Sequence, residues 1–176
     1  MKKVDQIIEE TFATKRYYLD LRGLGLREIP QEVAKMDFLE NIALSRNEIE
    51  DISLLAKLPH LRKVALSHNR IESLEPLRGF YNLKYLFVGH NRIGDLSPLQ
   101  HLPKLKKLVA SANEIADITP LAQIPTLVNL DLSHNPIKDA SILLELPNLR
   151  WLSLHATEVP VEQKLRLRKK VPIFYS

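Results

Sequence analysis

The chain has 176 residues, 45% of them hydrophobic, and no cysteine. This length suits one domain, and the lack of cysteine excludes disulfides, thiolate metal sites and cysteine nucleophiles. The net charge of +4 comes from residues 161–176, which hold five basic residues against one acidic residue, whereas residues 1–160 hold 20 of each.

Residues 1–15 predict an amphipathic helix that caps the N-terminal end of the fold. Its apolar residues recur at the spacing of one helix face: Val4, Ile7, Ile8 and Phe12. Acidic residues interrupt this segment where a signal peptide would be apolar. No apolar run in the chain approaches the roughly 18 residues that a membrane span needs. We therefore expect a cytoplasmic protein without a membrane span.

Residues 16–160 contain an internal repeat. After an irregular first copy over Tyr17–Pro30, the pattern Leu-x-x-Leu-x-Leu-x-x-Asn recurs, as in Leu127–Asn135. Its asparagines are spaced 22 residues apart at Asn47, Asn69, Asn91, Asn113 and Asn135. A final copy, Leu149–Thr157, has threonine in the asparagine position. A fixed period of this length indicates about seven stacked units.

Each copy predicts a short strand, a turn and a return leg. The fourth and sixth positions point into the core, and the residues between them point to the opposite, concave face, because side chains alternate along a strand. The asparagine amides satisfy backbone groups at the bend, so we expect a hydrogen-bonded ladder of asparagines. Short 3₁₀ or α-helical turns are expected in the return legs, with hydroxyl residues as N-caps at Ser53, Ser97, Thr119 and Ser141.

Residues 161–176 predict a cap at the C-terminal end. Residues 161–170 have a helical pattern, and residues 171–175 form an apolar segment that reads as extended. Together they are expected to cover the last repeat and to bury Phe174 and Tyr175.

The repeats resemble those of the leucine-rich-repeat superfamily. The segments Asn91–Leu99 and Asn113–Leu121 carry the phrase N-x-I-x-D-[IL]-[ST]-P-L, which looks most like the repeats of internalins and of the phosphatase-regulatory SDS22-like group. The resemblance implies an α/β fold, a right-handed solenoid of strands and 3₁₀ turns with a parallel concave sheet and a helical cap at each end. It also implies a non-enzymatic role in protein–protein recognition through the concave sheet. We expect one domain over residues 1–176.

The concave face predicts where a partner binds. Outward aromatic side chains have no duty in the core, and exposed aromatic and apolar groups are typical of binding surfaces. The predicted binding residues are Tyr85, Phe87, Lys107, Val109, Asn129, Asp131 and Trp151. An alternative role for Trp151 is packing against the C-terminal cap. The expected partner is another protein, bound by a monomeric chain.

Catalysis and metal binding are the first alternatives. The concave carboxylates, Asp20 and Asp131, are five strands apart, about 24 Å at strand spacing, which is too far for a catalytic pair. No catalytic residue and no cofactor are therefore expected. His68 and His90 fall on neighbouring strands and are weak candidates for metal ligands. The triplet Ser-His-Asn is also frequent at this turn of the repeat, so we expect no metal site.

Two further alternatives involve the C-terminal cap and the scaffold itself. The basic residues of the cap could bind nucleic acid or another anionic surface: Lys164, Arg166, Arg168, Lys169 and Lys170. No aromatic residue is interleaved with them, which favours a solvated cap helix, so nucleic acid is not the expected partner. The other alternative is a structural spacer without a defined ligand.

Overall fold

The computed structural model describes residues 2–176, which form two α-helices, eight β-strands and six 3₁₀ helices. The α-helices are α1 (Lys2–Ala13) and α2 (Val161–Lys170). The strands are β1 (Tyr18–Asp20), β2 (Asn41–Ala43), β3 (Lys63–Ala65), β4 (Tyr85–Phe87), β5 (Lys107–Val109), β6 (Asn129–Asp131), β7 (Trp151–Ser153) and β8 (Ile173–Tyr175). The 3₁₀ helices lie between the strands at Gln31–Lys35, Ser53–Lys57, Glu75–Leu77, Ser97–Leu99, Thr119–Gln123 and Ser141–Glu145.

The strands form one parallel sheet whose order follows the chain, from β1 to β8. Equivalent positions of successive repeats are in register, as Leu19, Ile42 and Val64 show. Each repeat adds one strand beside the previous strand and returns through a 3₁₀ helix. This is the leucine-rich-repeat solenoid that the 22-residue spacing predicts. The structure adds one strand to the predicted set, because Ile173–Tyr175 pairs with β7.

The inward strand positions build the core. In every regular repeat the fourth and sixth residues are almost fully buried, as predicted: Ile42, Leu44, Val64, Leu66, Leu86, Val88, Leu108, Ala110, Leu130, Leu132, Leu152 and Leu154. One cluster of buried hydrophobic side chains runs from Val4 in α1 to Val171 after α2. Burying a side chain such as leucine contributes about 1.5–3 kcal/mol, so stacking of these layers is the main force that holds the repeats together.

The N-terminal helix α1 covers the open side of β1. It buries Val4 and Ile8 in the common core, and Ile7 packs partly against it. Phe12, predicted on the same face, is half exposed, and its ring centroid lies 6.2 Å from that of Phe38. The helix therefore acts as the predicted cap, and in its last turn Thr11 is buried while Phe12 is not.

At the other end, α2 packs on the last 3₁₀ helix and buries Leu167. The Gln163 side chain accepts a hydrogen bond from the Ala140 N–H (2.8 Å) and donates one to Asp139 (3.0 Å). Strand β8 then covers β7. The predicted burial of Tyr175 is wrong: its side chain is 54% exposed, because its place in β8 aligns it with Ser153 on the concave face.

The ladder asparagines bond to backbone groups rather than to one another. Asn113 donates from Nδ2 to the carbonyl of Ala110 in its own repeat (3.1 Å) and to that of Val88 in the preceding repeat (3.0 Å). Its Oδ1 accepts the Ile93 N–H at 3.0 Å. The other four asparagines make corresponding bonds. Each amide thus joins two successive repeats.

The residue before each ladder position has a left-handed backbone. The φ angles at these positions are 61° (Arg46), 59° (His68), 57° (His90), 53° (Ala112), 55° (His134) and 52° (Ala156). A positive φ is unfavourable for most non-glycine residues, but histidine adopts it more often than most. The Ser-His-Asn triplets therefore have a backbone explanation that the sequence alone did not indicate.

The predicted N-caps of the 3₁₀ helices are wrong. Ser53, Ser97 and Ser141 are the first helical residues, and apolar residues precede them at the cap position. An aspartate two residues earlier accepts the backbone N–H instead, as Asp95 does from Ser97 at 2.7 Å. The Ser97 hydroxyl then donates to the second oxygen of Asp95 (2.8 Å). The same arrangement occurs at Ser53 and Thr119, and at Ser141 the backbone N–H donates to Asp139 at 2.8 Å.

Replacing a ladder asparagine should destabilise the fold. Asn113→Leu leaves the buried Ile93 N–H without its acceptor, which should lower the free energy of unfolding by about 1–3 kcal/mol. The Val88 carbonyl loses one of its two amide donors and keeps the bond from Asn91. The measurement is urea unfolding followed by circular dichroism. Asn129→Leu is the matched control, because Asn129 lies half-buried on the concave face and should change stability by less than about 0.5 kcal/mol. Equal midpoints for the two variants would contradict the ladder's stabilising role.

Candidate functional site

The concave face carries two rows of outward side chains across the sheet. In one row Tyr85 of β4 lies between Lys63 and Lys107, and Asn129 and Trp151 follow on β6 and β7. In the other row, Phe87, Val109 and Asp131 occupy successive strands from β4 to β6. Four predicted binding residues therefore come together on β4 and β5: Tyr85, Phe87, Lys107 and Val109.

Trp151 lies apart from this group. It is on β7, three strands from Tyr85, or about 14 Å at strand spacing. It is half-buried, and its ring centroid is 5.6 Å from that of Tyr175 in β8. The predicted set therefore divides into a mid-sheet group and a group next to the C-terminal cap, and Trp151 packs against that cap.

Phe87 holds two ammonium groups in the mid-sheet group. The Nζ atoms of Lys63 and Lys107, which come from the strands on either side, lie 5.5 and 5.4 Å from its ring centroid. A cation near an aromatic face is attracted by the ring quadrupole, by about 0.5–1 kcal/mol at exposed sites. Tyr85, between the same two lysines, remains 41% exposed. Sequence reasoning missed Lys63, although its place in the same row was the signal that could have identified it.

Asp131 and Asp20 each have a local partner. Asp131 accepts hydrogen bonds from the hydroxyl (2.7 Å) and the backbone N–H (3.1 Å) of Ser133. Asp20 accepts two bonds from the Arg22 guanidinium, at 2.9 Å from Nε and 2.6 Å from Nη2. This paired contact lowers the pKa of Asp20 to about 2. The two carboxylates lie on β1 and β6, and each stabilises its own turn.

A groove lies between α1 and the first strands of the concave face. It has a volume of about 920 Å³, and sequence reasoning did not identify it. Small side chains at its base leave the space open: Ala43, Ser45, Ala65 and Ser67. Tyr18 and Arg46 also border it, and Phe87 forms its boundary toward the mid-sheet group. Those small residues were visible in the sequence, but the groove also needs α1 as its opposite wall.

His68 and His90 stack against each other. Their ring centroids are 4.1 Å apart and the planes are within 11° of parallel. Burial, followed by the neighbouring His90 imidazole and the Arg46 guanidinium, lowers the pKa of His68. Parallel rings point their nitrogen lone pairs in parallel directions, whereas ligands of one metal ion must converge on it. No group of three or more metal-binding side chains occurs within residues 2–176.

Among the described residues, no helix is both long and apolar enough to cross a membrane.

Known families and structures match the repeats. The family model of leucine-rich repeats in two copies matches residues 37–79 and 81–123, and a model of the single leucine-rich repeat matches residues 123–143. No curated protein sequence matches the chain.

Several solved structures share the fold. An internalin C2 from Listeria monocytogenes is 38% identical to this chain, with a TM-score of 0.71. The match covers 73% of this chain and 57% of the internalin C2 chain. The internalin inlF from the same organism is 26% identical, with a TM-score of 0.84, over 95% of this chain and 48% of its own. A leucine-rich-repeat protein from Leptospira interrogans has the same fold at 24% identity and a TM-score of 0.76, over 84% of this chain and 39% of its own. The chain thus spans between 39% and 57% of the length of these proteins.

The Asp20–Arg22 contact predicts an unusually acidic carboxyl. Asp20 should titrate near pH 2, and Arg22→Gln should raise its pKa toward the ordinary value of 3.8. Because folding depresses this pKa, the contact's contribution to stability is fully present above about pH 4 and is lost as the pH falls through about 2. Carbon NMR of the side-chain carboxyl measures the shift. Arg16→Gln, which removes a pair with Glu10 instead, should leave the Asp20 titration unchanged. An Asp20 pKa near 4 in the unmodified chain would contradict the assignment.

Proposed function

The chain belongs to the leucine-rich-repeat family, and on that premise we propose that it is a non-enzymatic module that binds another protein through its concave sheet. The fold is typical of protein–protein interaction modules. The observation that carries the proposal is the exposed Tyr85 with the half-buried Phe87 beside it, on a face that the core does not use.

The placement of these aromatic groups supports binding rather than packing. The inward side chains of this repeat, Leu86 in β4 and Val88 directly after it, are fully buried and already supply its core. Tyr85 points the other way and is 41% exposed. Aromatic residues are enriched among the side chains that contribute most to protein interfaces. A partner that covers Tyr85 and Phe87 would remove apolar surface from water without disturbing the solenoid.

The binding surface that we propose extends from the mid-sheet group to the C-terminal cap. Lys107 and Val109 continue the two rows on β5, and Asn129 and Asp131 continue them on β6. Trp151 and Tyr175 together present aromatic surface at the end of the sheet. We include Trp151 at the margin of the surface, because its contact with Tyr175 already covers part of it.

The chain is proposed to act as a monomeric single domain over residues 1–176. One hydrophobic cluster that runs from α1 to the segment after α2 supports a single domain. The likeness of the repeats to the SDS22-like group and a cytoplasmic location stay predictions.

The basic C-terminal cap has a structural role that accounts for its position. Gln163 bonds to Asp139 and Ala140, and Lys170 donates from Nζ to the Leu144 carbonyl. These bonds and the burial of Leu167 fix α2 on the last repeat. We therefore favour protein recognition on the concave sheet over nucleic-acid binding at α2, and over a spacer without a ligand.

Concave-face substitutions should weaken binding without unfolding the chain. A protein captured from cell extract by the intact chain would serve as ligand in isothermal titration calorimetry. Tyr85→Ala and Phe87→Ala should each weaken its binding by at least about 1–2 kcal/mol. Trp151→Ala should also weaken binding, and it should lower the melting temperature as well, because it removes the contact with Tyr175.

Tyr81→Ala is the matched control for Tyr85→Ala. Tyr81 is 66% exposed in the turn that precedes β4, outside the sheet, so its loss should leave affinity and stability nearly unchanged. Full binding by a chain that carries the three concave substitutions together would move the site off this face. Unfolding of the Tyr85→Ala or Phe87→Ala chains would assign those residues to packing.

A further inference from the structure

Six basic residues cluster where strands β3–β5 begin. We call this group the basic rim: Arg62, Lys63, Lys84, Lys104, Lys106 and Lys107. The N–H of Lys84 donates to the Arg62 carbonyl (2.8 Å), and that of Lys106 to the Lys84 carbonyl (2.9 Å). These three residues therefore occupy equivalent places in three successive repeats. Lys63 and Lys107 lie one position further, on either side of Tyr85.

The basic rim has almost no negative charge to balance it. Residues 57–71, 76–94 and 96–113 contain no aspartate or glutamate. Within the part of the chain that the structure describes, Arg62 pairs with Glu40 (3.2 Å), while the five lysines of the rim take part in no ion pair. The other ends of the strands differ, because arginines there pair with glutamates: Arg70 with Glu48 at 3.0 Å and Arg92 with Glu72 at 3.6 Å.

We propose that the basic rim binds a segment of the protein partner that is rich in aspartate and glutamate. This inference rests on the protein recognition proposed above and names the chemistry of the bound segment. Like charges in neighbouring repeats repel one another, and an acidic segment converts that repulsion into attraction. The rim continues directly to the exposed Tyr85, so one segment can contact both the lysines and this ring.

The geometry suits an extended acidic segment. Cations in equivalent places recur at the strand spacing of about 4.8 Å, whereas side chains on one face of an extended segment recur at about 7 Å. The long side chains of lysine can bridge that difference. Phe87 already holds the Lys63 and Lys107 ammonium groups near its ring. Side chains that are ordered before binding lose less conformational entropy when the ligand arrives.

Single-stranded nucleic acid fits the basic rim less well. Its binding sites combine cations with aromatic faces on which successive bases stack. The Phe87 ring is occupied by ammonium groups from the strands on both sides, which leaves Tyr85 as the stacking surface within the rim. The basic rim spans three strands, or about 10 Å at strand spacing, which is a short track for a phosphate backbone.

The test uses the full chain and a fluorescent peptide that alternates glutamate and serine, with a glutamine–serine peptide as the uncharged control. Fluorescence anisotropy at physiological salt measures the dissociation constant. The double variant Lys84→Gln/Lys106→Gln should raise the dissociation constant of the glutamate peptide by about tenfold. The control variant Arg166→Gln/Lys169→Gln changes the net charge by the same amount, on exposed residues of α2. It should raise the dissociation constant of the glutamate peptide by less than about twofold.

Three results would overturn the proposal. The first is unchanged peptide binding by the Lys84/Lys106 variant with an unchanged melting temperature. The second is an equal loss of affinity for the glutamate peptide in the Arg166/Lys169 variant, which would indicate attraction by net charge alone. The third is that an oligothymidylate of the same charge displaces the peptide, and that its binding depends more strongly on Lys84 and Lys106 than peptide binding does. If the glutamate peptide binds the Lys84/Lys106 variant as tightly as the unmodified chain while Tyr85→Ala still weakens binding of the captured protein, the acidic segment is rejected. Recognition through the concave face then stands.

Discussion

The hydrogen bonds of the ladder asparagines determine where each strand ends and how one repeat sits on the next. A regular repeat forms only three strand residues before the chain bends through a left-handed position. The bend leaves backbone donors and acceptors inside the fold, where an unsatisfied group costs about 1–3 kcal/mol. The asparagine amide supplies two donor hydrogens and an acceptor oxygen in one side chain. Because all five amides make the same bonds, the strands stay in register and the concave side chains form straight rows.

The residues that stabilise the fold lie on one side of the sheet, and the other, concave side contributes little to the core. The inward leucines and isoleucines and the asparagines stabilise the solenoid, so the concave residues are under little structural constraint. The structure nevertheless distinguishes among them. Phe87 gathers the ammonium groups of Lys63 and Lys107, while Trp151 contacts Tyr175 and shares in the C-terminal cap. Aromatic residues that look equivalent in the sequence thus have different surroundings, and their substitution has different physical consequences.

The repeat made most of the fold predictable, because Leu-x-x-Leu-x-Leu-x-x-Asn specifies burial, register and turn together. The errors lie where one residue type fits two roles. A serine before proline suits an N-cap, but Asp95 two residues earlier captures both the N–H and the hydroxyl of Ser97. Strand β8 lacks the repeat motif, so its pairing and the exposure of Tyr175 depend on tertiary contacts with β7. The candidate site followed from register, whereas its charge distribution required the spatial neighbours of Lys63 and Lys84.

The asparagine bonds also give the solenoid a polarity along its axis. The Ile93 N–H is satisfied by Asn113, which the chain supplies only when the next repeat has been made. The last repeat has Thr157 instead, whose hydroxyl bonds to Leu154, and the Ile137 N–H turns to the Asn135 carbonyl. A backbone N–H of each regular repeat is therefore satisfied by the asparagine of the next repeat. After Asn135, the corresponding N–H is satisfied within its own turn. Synthesis proceeds from the N-terminus, so the repeat that supplies each of these acceptors leaves the ribosome after the repeat that needs it.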